Sequence, residues 1–477
     1  MIHQAGLTGV VVLTAIYLAS QVCYTIVFLV EAYFMSLPVD RVDMDEPLRE
    51  PENAWPYILL FYPVLQELEA TMRTTFASLS KIDYPASRYR VIAIPNADDT
   101  ATIASLRRLE AEFPFLEIAE VPPTSDPSWQ VVWDAWDANP KAYWWHHGRR
   151  AGVKDLPPKK TRQLIYALYR TAALVNEPNL ALDYIDADSC PPPDHFKAAA
   201  IGLKHYDVLQ SLNVAGNLNK SLPASWHAFD HMAWDGYKYP HLSSHGRQPY
   251  WLLGKGLFYR VSDLLELGGL HPWITIEDPE IGLRYWANGK RLGIIPGSLI
   301  EEVPETWWAG VTQRKRWVCG FFQTLGQPLH HLGLTPWQRF KCRLVFFPCL
   351  SLLVNAVGIP IGIWAFWQYV SGADILPPWS IWLGIANIVL LIVLLAALYA
   401  KTWKRTGLVL SRWIDRVWYM VRVNPISAIV WWLLWIVPLV IGFRMYLLDE
   451  GLAWQRTEKI DANKELIRTR VTKSPTR

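Results

Sequence analysis

The chain has 477 residues, a formal net charge of +3, 51% hydrophobic residues and only 19% charged ones. That charge is too balanced for a nucleic-acid binder resting on phosphate neutralisation. The charged share lies below the roughly 25% of a soluble domain, so a disordered chain is excluded and the composition describes a soluble body with a few membrane spans. Length alone allows two to four domains. The five Cys (23, 190, 319, 342 and 349) show no CxxC spacing, which excludes a zinc ribbon or disulfide scaffold and fits a reducing cytosol.

Residues 7–35 carry no charge before Glu31, enough to span a hydrocarbon core of about 30 Å. They lack the short apolar region and small-residue cleavage site of a signal peptide, so they read as an uncleaved anchor within residues 1–40. Residues 50–320 follow as the soluble body. Apolar runs at 57–62, 90–95, 180–186, 207–214 and 291–297 alternate with helical patterns at 64–79, 100–112 and 160–175. That order predicts an α/β fold, a mostly parallel sheet with helices on both faces, which binds nucleotides at the carboxyl ends of its strands. No GxGxxG and no GxxxxGK[ST] is present, so neither a dinucleotide site nor a P-loop is supported.

Within the body, Trp129, Trp133 and Trp136 lie at i, i+4 and i+7. A packed helix face is expected, with sugar stacking as the alternative. His146-His147 reads as loop, and Arg149-Arg150 as a solvated pair. Asp186-Ala187-Asp188 ends an apolar strand, where carboxylates at i and i+2 point the same way. A divalent cation, Mg²⁺ or Mn²⁺, would relieve their repulsion; the competing reading is a turn. The pairs His227/His231 and His241/His245 have a spacing that can bind zinc. Pro240, Ser243, Ser244 and Gly246 argue instead for loop or cleft histidines. Glu277-Asp278 precedes Pro279, as at a helix start. Asp278 is then an N-cap or a general base whose pKa Glu277 raises. Gln313, Arg316 and Trp317 share one helix face and suit a diphosphate beside a sugar; the alternative is a basic helix on a membrane surface.

Three further apolar runs cover about 344–370, 379–400 and 425–447. The loop 371–378 has no Lys or Arg, whereas 401–422 carries Lys401, Lys404, Arg405, Arg412, Arg416 and Arg422. The positive-inside bias makes the first external and the second cytoplasmic. Trp364, Trp367, Trp379 and Trp382 flank the external loop as interfacial residues do. Arg412 and Arg416, set among Leu410, Trp413, Val417 and Met420, predict a surface-lying helix. Four complete crossings would put the basic tail, 451–477, outside against the same bias. Either the last run does not cross or the rule fails.

Taken in order, DAD at 186–188, GKGLFYR at 254–260, IED at 276–278 and QRKRW at 313–317 resemble glycosyltransferase family 2. The similar branch is the membrane-embedded one of cellulose, chitin and hyaluronan synthases. PYILLFYPVLQE at 56–67, KKTRQLIYALYR at 159–170 and WQRTEK at 454–459 extend the likeness. The resemblance implies a cytoplasmic GT-A-like domain on an N-terminal transmembrane helix and a C-terminal helical bundle within 321–450. It implies a nucleotide-diphospho-sugar donor, a divalent metal and an inverting reaction. Asp188 would ligate the metal, and Asp186 the metal shell or ribose. Asp278, with Glu277, would be catalytic. Lys160, Gln313 and Arg316 would face the diphosphate, and Pro63 and Glu67 the nucleoside. Trp317, Gly254, Lys255, Gly256, Trp307 and Trp308 would line the acceptor cleft. Ile276 stands where the family has Thr, so acceptor binding can differ. The second strand ends Ile94-Pro95-Asn96-Ala97-Asp98-Asp99, so Asn96 or Asp98 would read the base of a UDP-sugar, with GDP still open. Lys255 is unusual between the two glycines, and 124–155 is long for the family.

The expected function is inverting transfer to a saccharide acceptor at a plasma or inner membrane, giving a β-linked poly- or oligosaccharide. Non-processive transfer to a lipid-linked acceptor and use of GDP-mannose are alternatives. A non-catalytic scaffold of a polysaccharide export system is the reading from another class.

Overall fold

A computed structural model describes residues 2–171, 175, 177–345, 348–373, 375–450 and 460–472. The body opens after α1 (Ile2–Ser36) with β1 (Tyr57–Val64), α2 (Glu69–Leu79), β2 (Tyr89–Pro95), α3 (Thr100–Glu112) and β3 (Leu116–Ile118). It continues through α4 (Gln130–Asp137), α5 (Tyr143–His146), α6 (Lys160–Thr171), β4 (Leu180–Tyr184), α7 (His195–Gly202) and β5 (Val208–Ala215). Then come α8 (Leu222–Ala233), a π-helical turn (Trp234–Lys238), α9 (Tyr239–Ser243), β6 (Leu257–Arg260), α10 (Val261–Glu266), α11 (Asp278–Ala287) and β7 (Leu292–Glu301). The C-terminal part holds α12 (Trp307–Leu325), α13 (Pro336–Val345), α14 (Pro348–Val370), α15 (Pro378–Thr406), α16 (Trp413–Arg422), α17 (Pro425–Leu434), α18 (Ile436–Leu447) and α19 (Lys464–Thr472). The WQRTEK motif at 454–459 lies outside the described residues.

The strands form one sheet in the order β3-β2-β1-β4-β6-β5-β7. Every pairing is parallel except those of β6. All five predicted strands are present, because strands buried on both faces read as continuous apolar runs. β3 and β6 were missed, being three and four residues long. Successive residues of β1 feed opposite cores. Leu59 and Phe61 pack with Trp129, Trp133, Trp136 and Leu164. Ile58, Leu60 and Tyr62 pack with Met72, Phe76, Leu106 and Phe196. The Trp stripe is therefore a packed face, and 124–155 covers one side of the sheet.

Helices α1 and α15 and the pair α17–α18 are long and apolar enough to cross a membrane. α1 is tied to α14 and α15 by polar side chains. The Tyr24 hydroxyl donates to the Asn355 amide oxygen (3.2 Å), and the Asn387 amide donates to Gln21 Oε1 (2.9 Å). α17 and α18 are separated at Trp435, where Pro438 cannot donate to the Leu434 carbonyl. Residues flanking this last run on both sides touch the body. Arg422 donates to the Asn219 carbonyl (2.7 Å), and Asp449 accepts from Arg150 (2.6 Å) and from Arg149. Between them α18 lies close on α12, so that a Cβ on Gly442 would come within 2.5 Å of the Lys315 carbonyl. The run thus packs along the body for much of its length. Arg149 and Arg150 both pair with Asp449; Arg149 stays solvated as expected, whereas Arg150 is partly buried.

The tail returns to the same face. The amides of Ile460 and Ala462 donate to the Glu302 carboxylate, at 3.1 and 2.6 Å. α16 forms as expected, with Trp413, Trp418 and Val421 exposed. Arg416 is turned inward onto Trp403, its guanidinium 4.2 Å from the ring.

Candidate active site

The carboxyl ends of β1 and β4, the stretch before α11 and one face of α12 form one end of a cavity of about 1000 Å³ in all. Pro63, Glu67, Lys160, Asp186, Asp188, Gly254, Lys255, Glu277, Asp278, Gln313, Arg316 and Trp317 all line it. Asn96, Asp98, Gly256, Trp307 and Trp308 do not. The Asn96 side chain is turned into the protein, its amide oxygen accepting from Arg162 (2.7 Å). Asp98 is exposed on the loop, while its neighbour Asp99 caps α3 and accepts from the Gln66 amide (2.7 Å). Gly256 is a turn residue. Its φ is +60°, and a Cβ would come within 2.4 Å of Leu299 and 2.9 Å of Ser211. Trp307 packs edge-on against Trp431, and Trp308 is exposed. Both sit in the first turn of α12, well before Gln313 comes round to the cavity.

The two Asp of DAD are not on a strand. β4 ends at Tyr184, and a turn follows, closed by the Ser189 amide on the Asp186 carbonyl (2.9 Å). The carboxylates have different partners. Asp188 is buried and accepts from the Glu302 amide (2.8 Å); Asp186 is half-exposed and accepts from Lys160 (2.7 Å). Lys160 also donates to the Gly254 carbonyl (2.6 Å) and stands 3.8 Å from Glu277. Burial opposes its charge, but Asp186 and Glu277 outweigh burial and raise its pKa. The preceding residue behaves oppositely. Lys159 is buried, donates to the Ile274 carbonyl, and burial pushes its pKa down to about 7.

Glu277, not Asp278, is the residue flanking α11, and its side chain makes no cap bond. Asp278 begins the helix. Burial first, then the charge of Glu277, pushes the Asp278 carboxyl up to about 8. Gly254 packs against it, since a Cβ there would lie 3.4 Å from the carboxyl carbon. On α12, Gln313, Arg316 and Trp317 share the cavity face as their spacing requires. Arg314, three residues before Trp317, lies over that ring (5.5 Å) and enters a buried node beside the cavity. Asp230 accepts there from Arg314 (2.9 Å), Trp431 (2.9 Å) and Trp435 (3.1 Å).

The model of glycosyl transferase family group 2 matches residues 183–447, from β4 through α18. The chain belongs to glycosyl transferase family group 2. No curated protein matches the sequence. The glycosyltransferase is similar to the solved mannosyltransferase PcManGT from Pyrobaculum calidifontis in complex with GDP-Man and Mn²⁺. Identity is 15%, with 92% of this chain and 98% of that one covered and a TM-score of 0.49. It is also similar to S. aureus TarS 1-349 in complex with UDP-GlcNAc, at 10% identity, 85% and 95% coverage and a TM-score of 0.34.

His231 lines the cavity, as the cleft reading expected, but its acidic neighbours Asp235 and Glu301 were missed. His227 and His231 lie on α8, not in a loop. His231 Nδ1 stands 3.1 Å from Asp235 and 2.9 Å from Glu301, and Lys255 reaches the same Glu301. These three could hold a cation, their ligand atoms all lying within 4.8 Å of one another. The fold joins α8, the π turn and the end of β7 here, and no local spacing signals that meeting. His227 packs on Trp431 and Gly310.

Proposed function

We propose that the glycosyltransferase is an inverting enzyme that moves a sugar from a nucleotide-diphospho-sugar to an acceptor hydroxyl, with Asp278 as general base. The observation that carries this is the Asp278 carboxyl, buried on the shared cavity with its pKa pushed up to about 8. A base works best with a pKa near the working pH, and Glu277 helps to set it. Gln313 and Arg316 would take the diphosphate, the guanidinium in bidentate fashion. Lys160 would neutralise charge beside it. Pro63 and Glu67 would face the nucleoside, and Trp317, Gly254 and Lys255 the acceptor. Asp186 and Asp188 fit a divalent cation, both offering hard carboxylate oxygens to the cavity. Mg²⁺ or Mn²⁺ held there would offset charge on the departing diphosphate. Inversion of an α-linked donor gives a β-linked product. The basic segment 401–422 and the tail share a face with the body, which supports a cytoplasmic catalytic side.

Asn96 and Asp98 lie off the cavity, so UDP- and GDP-sugars enter the test together. Nucleotide-diphosphate release is measured for the purified protein with Mg²⁺ or Mn²⁺. The wild type is expected to release it from at least one donor, and Asp278→Asn about 10²- to 10⁴-fold more slowly. Release from no donor would favour a non-catalytic scaffold. Equal release by the variant would remove Asp278 as base.

A further inference from the structure

The cavity does not stop at the donor side. It runs on between α1, α14, α15 and α17, and past Glu31 its walls include Val27, Phe28, Ile359, Ile363, Ile385 and Ile388. Polar side chains at this depth bond one another across the helices. Asn387 serves Gln21 and Thr25, and Asn355 serves Tyr24. Gln21, Tyr24, Asn355 and Asn387 also line the space, but these pairs engage their polar groups with one another, and most of the remaining wall is apolar. A saccharide strand would trade water for hydrocarbon there, with its hydroxyls unpaired. An alkyl chain entering from the bilayer makes no such trade. The change of character falls at an ion pair, Lys238 with Glu31 at 2.7 Å, with the ammonium 4.5 Å over the Trp234 ring. That is the level at which a lipid head leaves its chain.

We propose that the acceptor is a lipid. Its hydrocarbon chain lies in the apolar arm between α1, α14 and α15, and its hydroxyl-bearing head reaches Asp278. This rests on the transferase reading above and names its acceptor class. The head-group oxygen forms a bond to the sugar C1 and its proton passes to the Asp278 carboxylate. The bond from C1 to the diphosphate breaks, and its electron pair leaves with the nucleoside diphosphate.

Gly362 on α14 supplies the test. It lines the arm, and a Cβ built on it meets nothing within 4 Å. Gly362→Leu therefore fills the arm without displacing a neighbour, and it favours the helix. Ile385→Trp narrows the arm from α15 as a second variant. The full chain is placed in phosphatidylcholine vesicles and photolabelled with diazirine-tagged hexadecanol. It is also incubated with radiolabelled UDP- and GDP-sugars. Photolabel is expected on α1, α14 and α15 of the wild type, with sugar label passing into chloroform–methanol extracts. Both are expected to fall about tenfold or more in the two variants, while donor hydrolysis stays unchanged. Label found wholly in water-soluble saccharide, at equal yield in wild type and variants, would overturn the proposal, as would photolabelling that neither variant reduces. Failure of every donor to release nucleotide would count against the transferase reading instead. The photolabelling would then still decide whether the arm holds a hydrocarbon chain.

Discussion

At the residue scale, Asp278 combines catalytic promise with a stability cost. Its folded pKa of about 8 exceeds the ordinary 3.8, so the folded chain holds the proton more tightly. Stability from this group is therefore full below about pH 4 and lost as pH rises toward 8. Asp278→Asn is expected to be about 1–3 kcal/mol more stable than wild type at neutral pH and equal to it in acid, as read by thermal unfolding in detergent. Turnover should show the opposite side of the same titration, rising with pH to about 8 as the base loses its proton. The charge of Asp186 helps to raise this pKa, so a cation that neutralises Asp186 lowers it. Raising Mg²⁺ should move the acidic limb of the rate profile to lower pH. Asp278 was legible from sequence because Glu-Asp before a helix-starting Pro is a local pattern. Its burial, the larger cause of the shift, was not, because Gly254 packs on it from another part of the chain.

At the scale of elements, α12 has two jobs. Gln313, Arg316 and Trp317 face the cavity, and their periodicity made that readable. Arg314, on the flank beside Trp317, ties α12 to α8 and to Trp431 and Trp435 through Asp230. Both charges are almost fully buried, with 1% and 4% of their side chains exposed. Asp230→Ala leaves the guanidinium without its counter-charge and should cost about 3–5 kcal/mol, seen as a fall in melting temperature. Turnover should fall with it, because the same helix carries the diphosphate ligands proposed here. The paired change Asp230→Leu with Arg314→Met should recover much of the stability, since no isolated charge remains. The strand pattern shows the same division. β1, β2, β4, β5 and β7 announced themselves as apolar runs. The antiparallel β6 did not, because its start is fixed by the positive φ of Gly256 and by pairing with β4 and β5.

For the whole molecule, the open question in the sequence was the side on which the tail lies. Contacts at Asn219, Arg150 and Glu302 bear on it: residues flanking the run 425–447 and the start of the tail all bond to the body. Single-cysteine variants at Lys464 and Asp98 should react with a membrane-impermeant maleimide from one side of oriented vesicles, and Ser371→Cys from the other. Reaction of Lys464→Cys together with Ser371→Cys would show that the run crosses. The sequence by itself determined the apolar spans, the parallel strands, the carboxylate pairs and the basic helix, because each is written in neighbouring residues through hydropathy, periodicity or charge. Only the tertiary structure decided which of these share one cavity, which apolar run lies along the body, and that the cavity opens between the membrane helices. Those outcomes depend on packing between residues far apart in the chain, and local pattern carries no record of it.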